Sequence, residues 1–204
     1  MTTRSIPPVG LRNDIEVADP LHVVLGYLET WRFEAGDLSA SFGEADLRLA
    51  NRGGARISAA EIASILERRR AIERALRAIA PDASLAGPAR SVPWLPLRQL
   101  FDAFAGVRGV GVAKMTKTLH PKRPALVPML DSVVQTHLRD DDPGAAAEFG
   151  ARALTLVRGY KRDLDRTGAT LGAVRRELAA LGYDVTEVRI LDLLIWSVEV
   201  DGRT

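Results

Sequence analysis

The 204-residue sequence contains no cysteine. This excludes disulfides, thiolate zinc sites, a cysteine nucleophile and iron–sulfur clusters. Aromatic residues make up only 5%, so platforms on which bases or flat cofactors could stack are scarce. No apolar run reaches the roughly 18 residues of a membrane span. The strongest, Ile190 to Val198, is short and interrupted by Asp192. The opening stretch MTTRSIPPVGLRND has no apolar core of the signal-peptide kind, so the expectation is a soluble cytoplasmic protein with no membrane partner. Charge of one sign is also missing. Twenty-eight Lys and Arg face 26 Asp and Glu, for a net charge of +2, and any nucleic-acid hypothesis must rest on local clustering. The three histidines, His22, His120 and His137, show no metal-ligand spacing. The Gly-x-Ser-x-Gly nucleophile motif is absent, as are internal repeats. No metal and no cofactor is expected.

What is present is helical patterning in a chain that is 47% apolar. Residues 1–19 read as an irregular lead-in. Residues 20–204 read as a single all-α domain of about eight helices, with a possible subdomain break at 81–96, where Pro81, Pro88, Pro93 and Pro96 cluster. Asp19 caps a helix from Pro20, with Leu21, Val24, Leu25, Leu28 and Trp31 on one face. A short helix over 44–50 ends at Gly53-Gly54. Ser58-Ala59-Ala60-Glu61 is a capping box and opens a helix that Pro81 stops. Further helices are expected over 96–105 and 112–119, from Asp131 to about Leu138, after the Asp142-Pro143 pair, from Thr170 to Gly182, and from the capping-box-like Asp184–Glu187 onward.

The stretch VRGVGVAK, residues 107–114, raises the functional question. A dinucleotide-type phosphate loop needs a preceding strand and a third glycine, and a kinase-type loop needs Gly-Lys-Ser/Thr. Neither is present. Two readings remain. One is a plain turn between helices, which glycine often supplies. The other is the hairpin of a helix-hairpin-helix, whose pattern of hydrophobic–x–Gly–hydrophobic–Gly it resembles, with Val107, Gly109, Val110 and Gly111 in the pattern positions. Glycines let the backbone approach a phosphate, and the N–H groups at the following helix start point at the anion. Local charge agrees. From Ala103 to Leu130 there is no acidic residue, while Arg108, Lys114, Lys117, Lys122 and Arg123 lie there with His120. These five cations, with Gly109, Val110 and Gly111, are the expected contact to the backbone of double-stranded DNA, with His120 a loop histidine that could also touch a phosphate, and such binding is salt-dependent.

The stretch KRPALVPMLDSVV extends the resemblance. DNA glycosylases of the helix-hairpin-helix superfamily place a catalytic aspartate soon after the hairpin, at the start of the next helix. Asp131 stands 20 residues after Gly111. The resemblance covers about residues 97–138, a fifth of the chain. It implies the multi-helix glycosylase architecture with a central hairpin, and a monofunctional enzyme in which Asp131 stabilises the cationic sugar while a flipped base sits beside it. The lysine nucleophile of bifunctional members would fall at position 113, which is alanine here, and the small residue expected four after the second glycine is Met115. Asp131 followed by Ser132 is also what an ordinary helix cap looks like, and capping alone is the stronger of the two readings. The competing class is a non-catalytic helical module for interaction or structure. The stretches ANRGG, KRPALVPMLDSVV and RILDLLIW also resemble a bacterial family of unknown function, and no established activity comes with that likeness. The arginine run at 68–70, with Arg74 and Arg77, alternates with Glu61, Glu67 and Glu73 and reads as a solvated, paired face.

Overall fold

The computed structural model describes residues 6–30 and 36–201. Those residues form nine α-helices and one two-stranded ladder. Within the lead-in expected to be irregular, β1 (Val9–Gly10) pairs antiparallel with β2 (Glu16–Val17). Val9, Leu11 and Val17 are buried, so this small hairpin carries apolar surface into the core.

Helix α1 spans Pro20–Thr30. Asp19 Oδ1 accepts the His22 N–H at 3.0 Å, the cap its side chain suggests. Trp31, expected on the same face, lies outside the described residues. Helix α2 is Glu44–Arg52. The single helix expected from the Ser58 capping box to Pro81 is instead two, α3 (Ala59–Glu67) and α4 (Arg69–Arg77). The chain bends at Arg68, whose N–H reaches back only three residues, to the Ile65 carbonyl. Ile65 and Ile72 are nonetheless both fully buried, one on each helix.

Helix α5 (Trp94–Asp102) and helix α6 (Val112–Leu119) flank the glycine pair. Trp94, read from sequence as part of the proline connector, starts α5 and donates its indole N–H to the Ala89 carbonyl. Helix α7 is Ser132–His137. Two helices were expected between Pro143 and Gly182, and the structure has one, α8 (Phe149–Ala180), of 32 residues. Asp142 does not cap a helix. It accepts the Gly144 N–H and both Arg152 donors, in a turn that Gly144 completes at φ +80°. Thr170 sits inside α8, which continues because Leu171, Val174 and Leu178 are buried beyond it. Helix α9 is Glu187–Asp201, and Thr186 rather than Asp184 supplies the cap, accepting the Arg189 N–H at 3.2 Å.

The central α8 packs on α5, α9 and α1, and α9 also packs on α1 and α7. Close approach of α5 to α8 needs Gly150, because a Cβ there would run into the Asp102 carboxylate. Among the described residues no helix is long and apolar enough to cross a membrane.

Candidate nucleic-acid interface

The loop between α5 and α6 is held by three buried valines, Val107, Val110 and Val112. Their burial leaves the glycines outward. Gly109 adopts φ +81°, a conformation that an L side chain occupies only with strain. Gly111 is the N-cap of α6, extended at φ −89°, with no side-chain cap bond. A Cβ built on Gly111 meets nothing within 4 Å, so open space lies in front of it. The N–H groups of Gly111, Val112, Ala113 and Lys114 have no acceptor among the described residues. These are the donors that a helix start leaves over. Met115 occupies the position expected to be small, and it is fully buried.

The five expected cations separate into three groups. Arg108 is exposed beside Gly109. Lys114 and Lys117 are partly exposed and already engaged. Lys114 Nζ donates to both Glu61 oxygens, at 2.7 and 2.8 Å. Lys117 Nζ lies 3.5 Å from the Gly54 carbonyl and 3.8 Å from Asp131 Oδ2. Lys122 and Arg123 are buried, which removes them from the expected contact set. Lys122 Nζ stands 3.4 Å from both Asp37 and Asp46. Arg123 donates to four backbone carbonyls inside the fold. The basic stretch read from sequence is therefore partly internal wiring, and its outward part is Arg108, the glycines and Lys114. His120, considered as a phosphate contact, turns its Nδ1 to the Val127 carbonyl at 2.7 Å. Burial, with Arg189 nearby, lowers its pKa to about 4 and keeps the ring neutral.

Asp131 is the N-cap of α7 and is only 7% exposed. Its Oδ1 accepts the Val133 and Val134 N–H groups, at 3.1 and 3.2 Å. Its Oδ2 accepts the Trp196 indole N–H at 3.0 Å, with Lys117 beyond. Thr116 Oγ1 takes the N–H of Leu130, and Gln135 donates to the Leu130 carbonyl. Asp131 thus ties α6, α7 and α9 together. An open groove of about 470 Å³ lies elsewhere, lined by residues of the connector including Asp82, Ser84, Ser91 and Pro93.

Loss of this anchor has a measurable consequence. Asp131→Ala removes a two-donor cap, about 1–2 kcal/mol, and leaves the Trp196 N–H and Lys117 short of a partner, roughly as much again. The melting temperature is expected to fall by about 5–10 °C. Asp131→Asn keeps the capping oxygen and should lose less than half of that. Equal losses for the two variants in a thermal melt would mean that the cap is not what Asp131 supplies.

His137 lies on α7. It is buried with its Nε2 3.2 Å from Asp163, which also accepts from Arg12 Nε at 2.6 Å. Burial pushes the Asp163 carboxyl up, and His137 and Arg12 together outweigh it, so its pKa is lowered. The acidic run 140–142 is likewise taken up by arginines, Asp141 by Arg12 and Arg162 and Asp142 by Arg152.

Sequence reading did not single out Glu61 as a partner of Lys114, 53 residues away, and no local signal reveals it. It also took Asp192 only as a break in an apolar run. Asp192 is buried in α9, and its Oδ2 accepts the Met129 N–H at 3.3 Å.

The chain belongs to the family described as "Family of unknown function (DUF6308)", whose model matches residues 31–199. No curated protein matches the chain, and no solved structure does.

Proposed function

We propose that this member of the family binds the backbone of duplex DNA through a helix-hairpin-helix formed by α5, the loop 103–111 and α6. The observation that carries the proposal is the row of N–H groups from Gly111 to Lys114 with no acceptor among the described residues, at a glycine N-cap with open space in front of Gly111. A helix start with unfilled donors and its positive dipole end attracts phosphate oxygens. Arg108 adds an exposed cation at the same loop, and residues 103–130 contain no acidic side chain of their own. Contacts of this kind grip phosphates without reading bases.

Binding without base excision fits the surroundings of Asp131 better than a glycosylase step. A carboxylate that stabilises a sugar cation must offer a free lone pair to a pocket. Both oxygens of Asp131 are engaged within the protein, by two backbone N–H groups and the Trp196 indole. Asp131 serves here as the strut that fixes α7 and α9 behind the hairpin.

The test is the affinity for a labelled duplex of about 20 base pairs as salt is raised. Wild-type protein should bind at low salt, with log K falling linearly against log salt. Gly111→Val should fold, with a melting temperature lower by no more than a few degrees, since position 111 is open and extended but valine is a poor N-cap, yet weaken binding by about tenfold because the side chain blocks the amides. Arg108→Gln should flatten the salt slope by about 0.9, the share of one phosphate. No binding at low salt, or a Gly111→Val protein that binds like wild type, would sink the proposal.

A further inference from the structure

We infer that Glu61 is a built-in counter-anion of the hairpin, which a DNA phosphate must displace before it can use Lys114. This rests on the duplex-binding proposal above and specifies how that contact is controlled. Glu61 comes from α3, outside the hairpin, yet its carboxylate stands against the hairpin at Gly109. A Cβ on Gly109 would collide with Glu61 Oε1. The same carboxylate takes the Lys114 ammonium in a two-oxygen grip at 2.7 and 2.8 Å. The lysine bond is the chief reason that the Glu61 pKa is lowered, with the Ser58 backbone N–H adding to it. Glu61 therefore stays ionised at neutral pH and cancels the cation that the first turn of α6 carries.

A phosphate arriving at the first turn of α6 meets this negative charge at close range, and like charges brought together oppose binding. The cost of moving Glu61 aside is limited. Its Oε2 also accepts the Ser58 N–H at 2.8 Å, closing the capping box of α3. The other half of that box, the Glu61 N–H donating to Ser58 Oγ, stays formed when the side chain swings out. Lys114 then changes partner from carboxylate to phosphate. The hairpin is thus attenuated in its resting form and gains a full cation only with the ligand in place.

Glu61→Gln separates the roles of the residue. Glutamine completes a capping box as glutamate does, so the fold and the melting temperature should hold while the charge is lost. In the same duplex titration, Glu61→Gln is expected to bind roughly tenfold tighter at low salt, with a salt slope steeper by up to about 0.9, because no freed carboxylate offsets the phosphate that Lys114 neutralises. Adding Lys114→Gln should return both values to about the wild-type level. Wild-type binding with unchanged affinity and slope in Glu61→Gln would overturn the inference and leave the duplex contact standing. Absence of binding by both proteins would overturn the duplex contact and the inference with it. Should Glu61→Gln melt well below wild type, Lys114→Gln alone carries the test. It strips Glu61 of its partner and should weaken binding, and unchanged binding would contradict the role given to the pair.

Discussion

Replacing Arg123 with alanine is expected to destabilise the protein by about 4 kcal/mol and to lower its melting temperature by on the order of 10 °C. Arg123 is 1% exposed, among the largest side chains that the fold buries completely. Its Nη1 donates to the Leu38 carbonyl at 2.7 Å and the Lys122 carbonyl at 2.6 Å. Its Nη2 donates to the Leu76 and Ile79 carbonyls at 2.9 and 3.0 Å. Leu76 lies in the last turn of α4 and Ile79 just after it, at a helix end where a cation is favoured. One guanidinium therefore closes a helix end and joins it to the segment before α2 and to the loop after α6. Alanine leaves buried carbonyls facing a void, and each unsatisfied group costs about 1–3 kcal/mol before relaxation. Arg123→Lys should fall between the two proteins, because an ammonium cannot span the fork. A loss below about 1 kcal/mol for Arg123→Ala in urea or thermal unfolding would show that the clamp is dispensable.

The second large effect is a pH dependence set by Asp192. The residue is 1% exposed, and burial raises its pKa from 3.8 to about 7 against the pull of Arg189. Its Oδ1 has no hydrogen-bond partner among the described residues. Arg189, Tyr160 and Asp131 are the charged or titratable groups that act on it. Below about pH 4 the carboxyl is neutral in both folded and unfolded chains, and the fold has its full stability from this group. Between pH 4 and 7 the unfolded chain releases the proton while the folded chain holds it. Stability is therefore lost as pH rises through that window and levels off above it. A gap of this size corresponds to about 4 kcal/mol at 1.36 kcal/mol per unit. Asp192→Asn copies the neutral form and can still accept the Met129 N–H. Its melting temperature should match wild type near pH 4 and exceed it by on the order of 10 °C at pH 8. Other carboxylates, such as Asp163 and Glu61, have lowered pKa values and act in the opposite sense as pH falls, so the difference between the two proteins is the quantity to follow. A difference that stays constant from pH 4 to pH 8 would contradict a raised Asp192.

Several helix starts were legible in the sequence, because a cap is a local event. Asp19, the Ser58–Glu61 box and Asp131 all cap as their residue types require, and α6 falls on the expected residues 112–119. Helix continuity was less legible. Thr170 and the neighbouring glycines read as a boundary, yet α8 runs through them since buried residues on both sides hold it against α5 and α9. At Arg68 the reverse occurs, and an unbroken helical pattern bends. The glycine hairpin and Asp131 could be found from spacing alone. What surrounds them could not. Lys122 and Arg123 look identical in sequence to solvent-facing cations, and only the positions of Asp37, Asp46 and the α4 carbonyls make them internal. The Glu61–Lys114 pair likewise exists only through packing of elements far apart in the chain.

The most direct measurement is the change in backbone amide signals of nitrogen-15-labelled protein as a short duplex is added at low salt. The largest shifts should fall on Gly109, Gly111, Val112 and Ala113, with Lys114 and Glu61 following as their pair opens. Val133 and Val134, whose N–H groups are held by Asp131, should stay nearly still. Shifts centred on another face of the protein, or none at all, would contradict a phosphate grip at the hairpin.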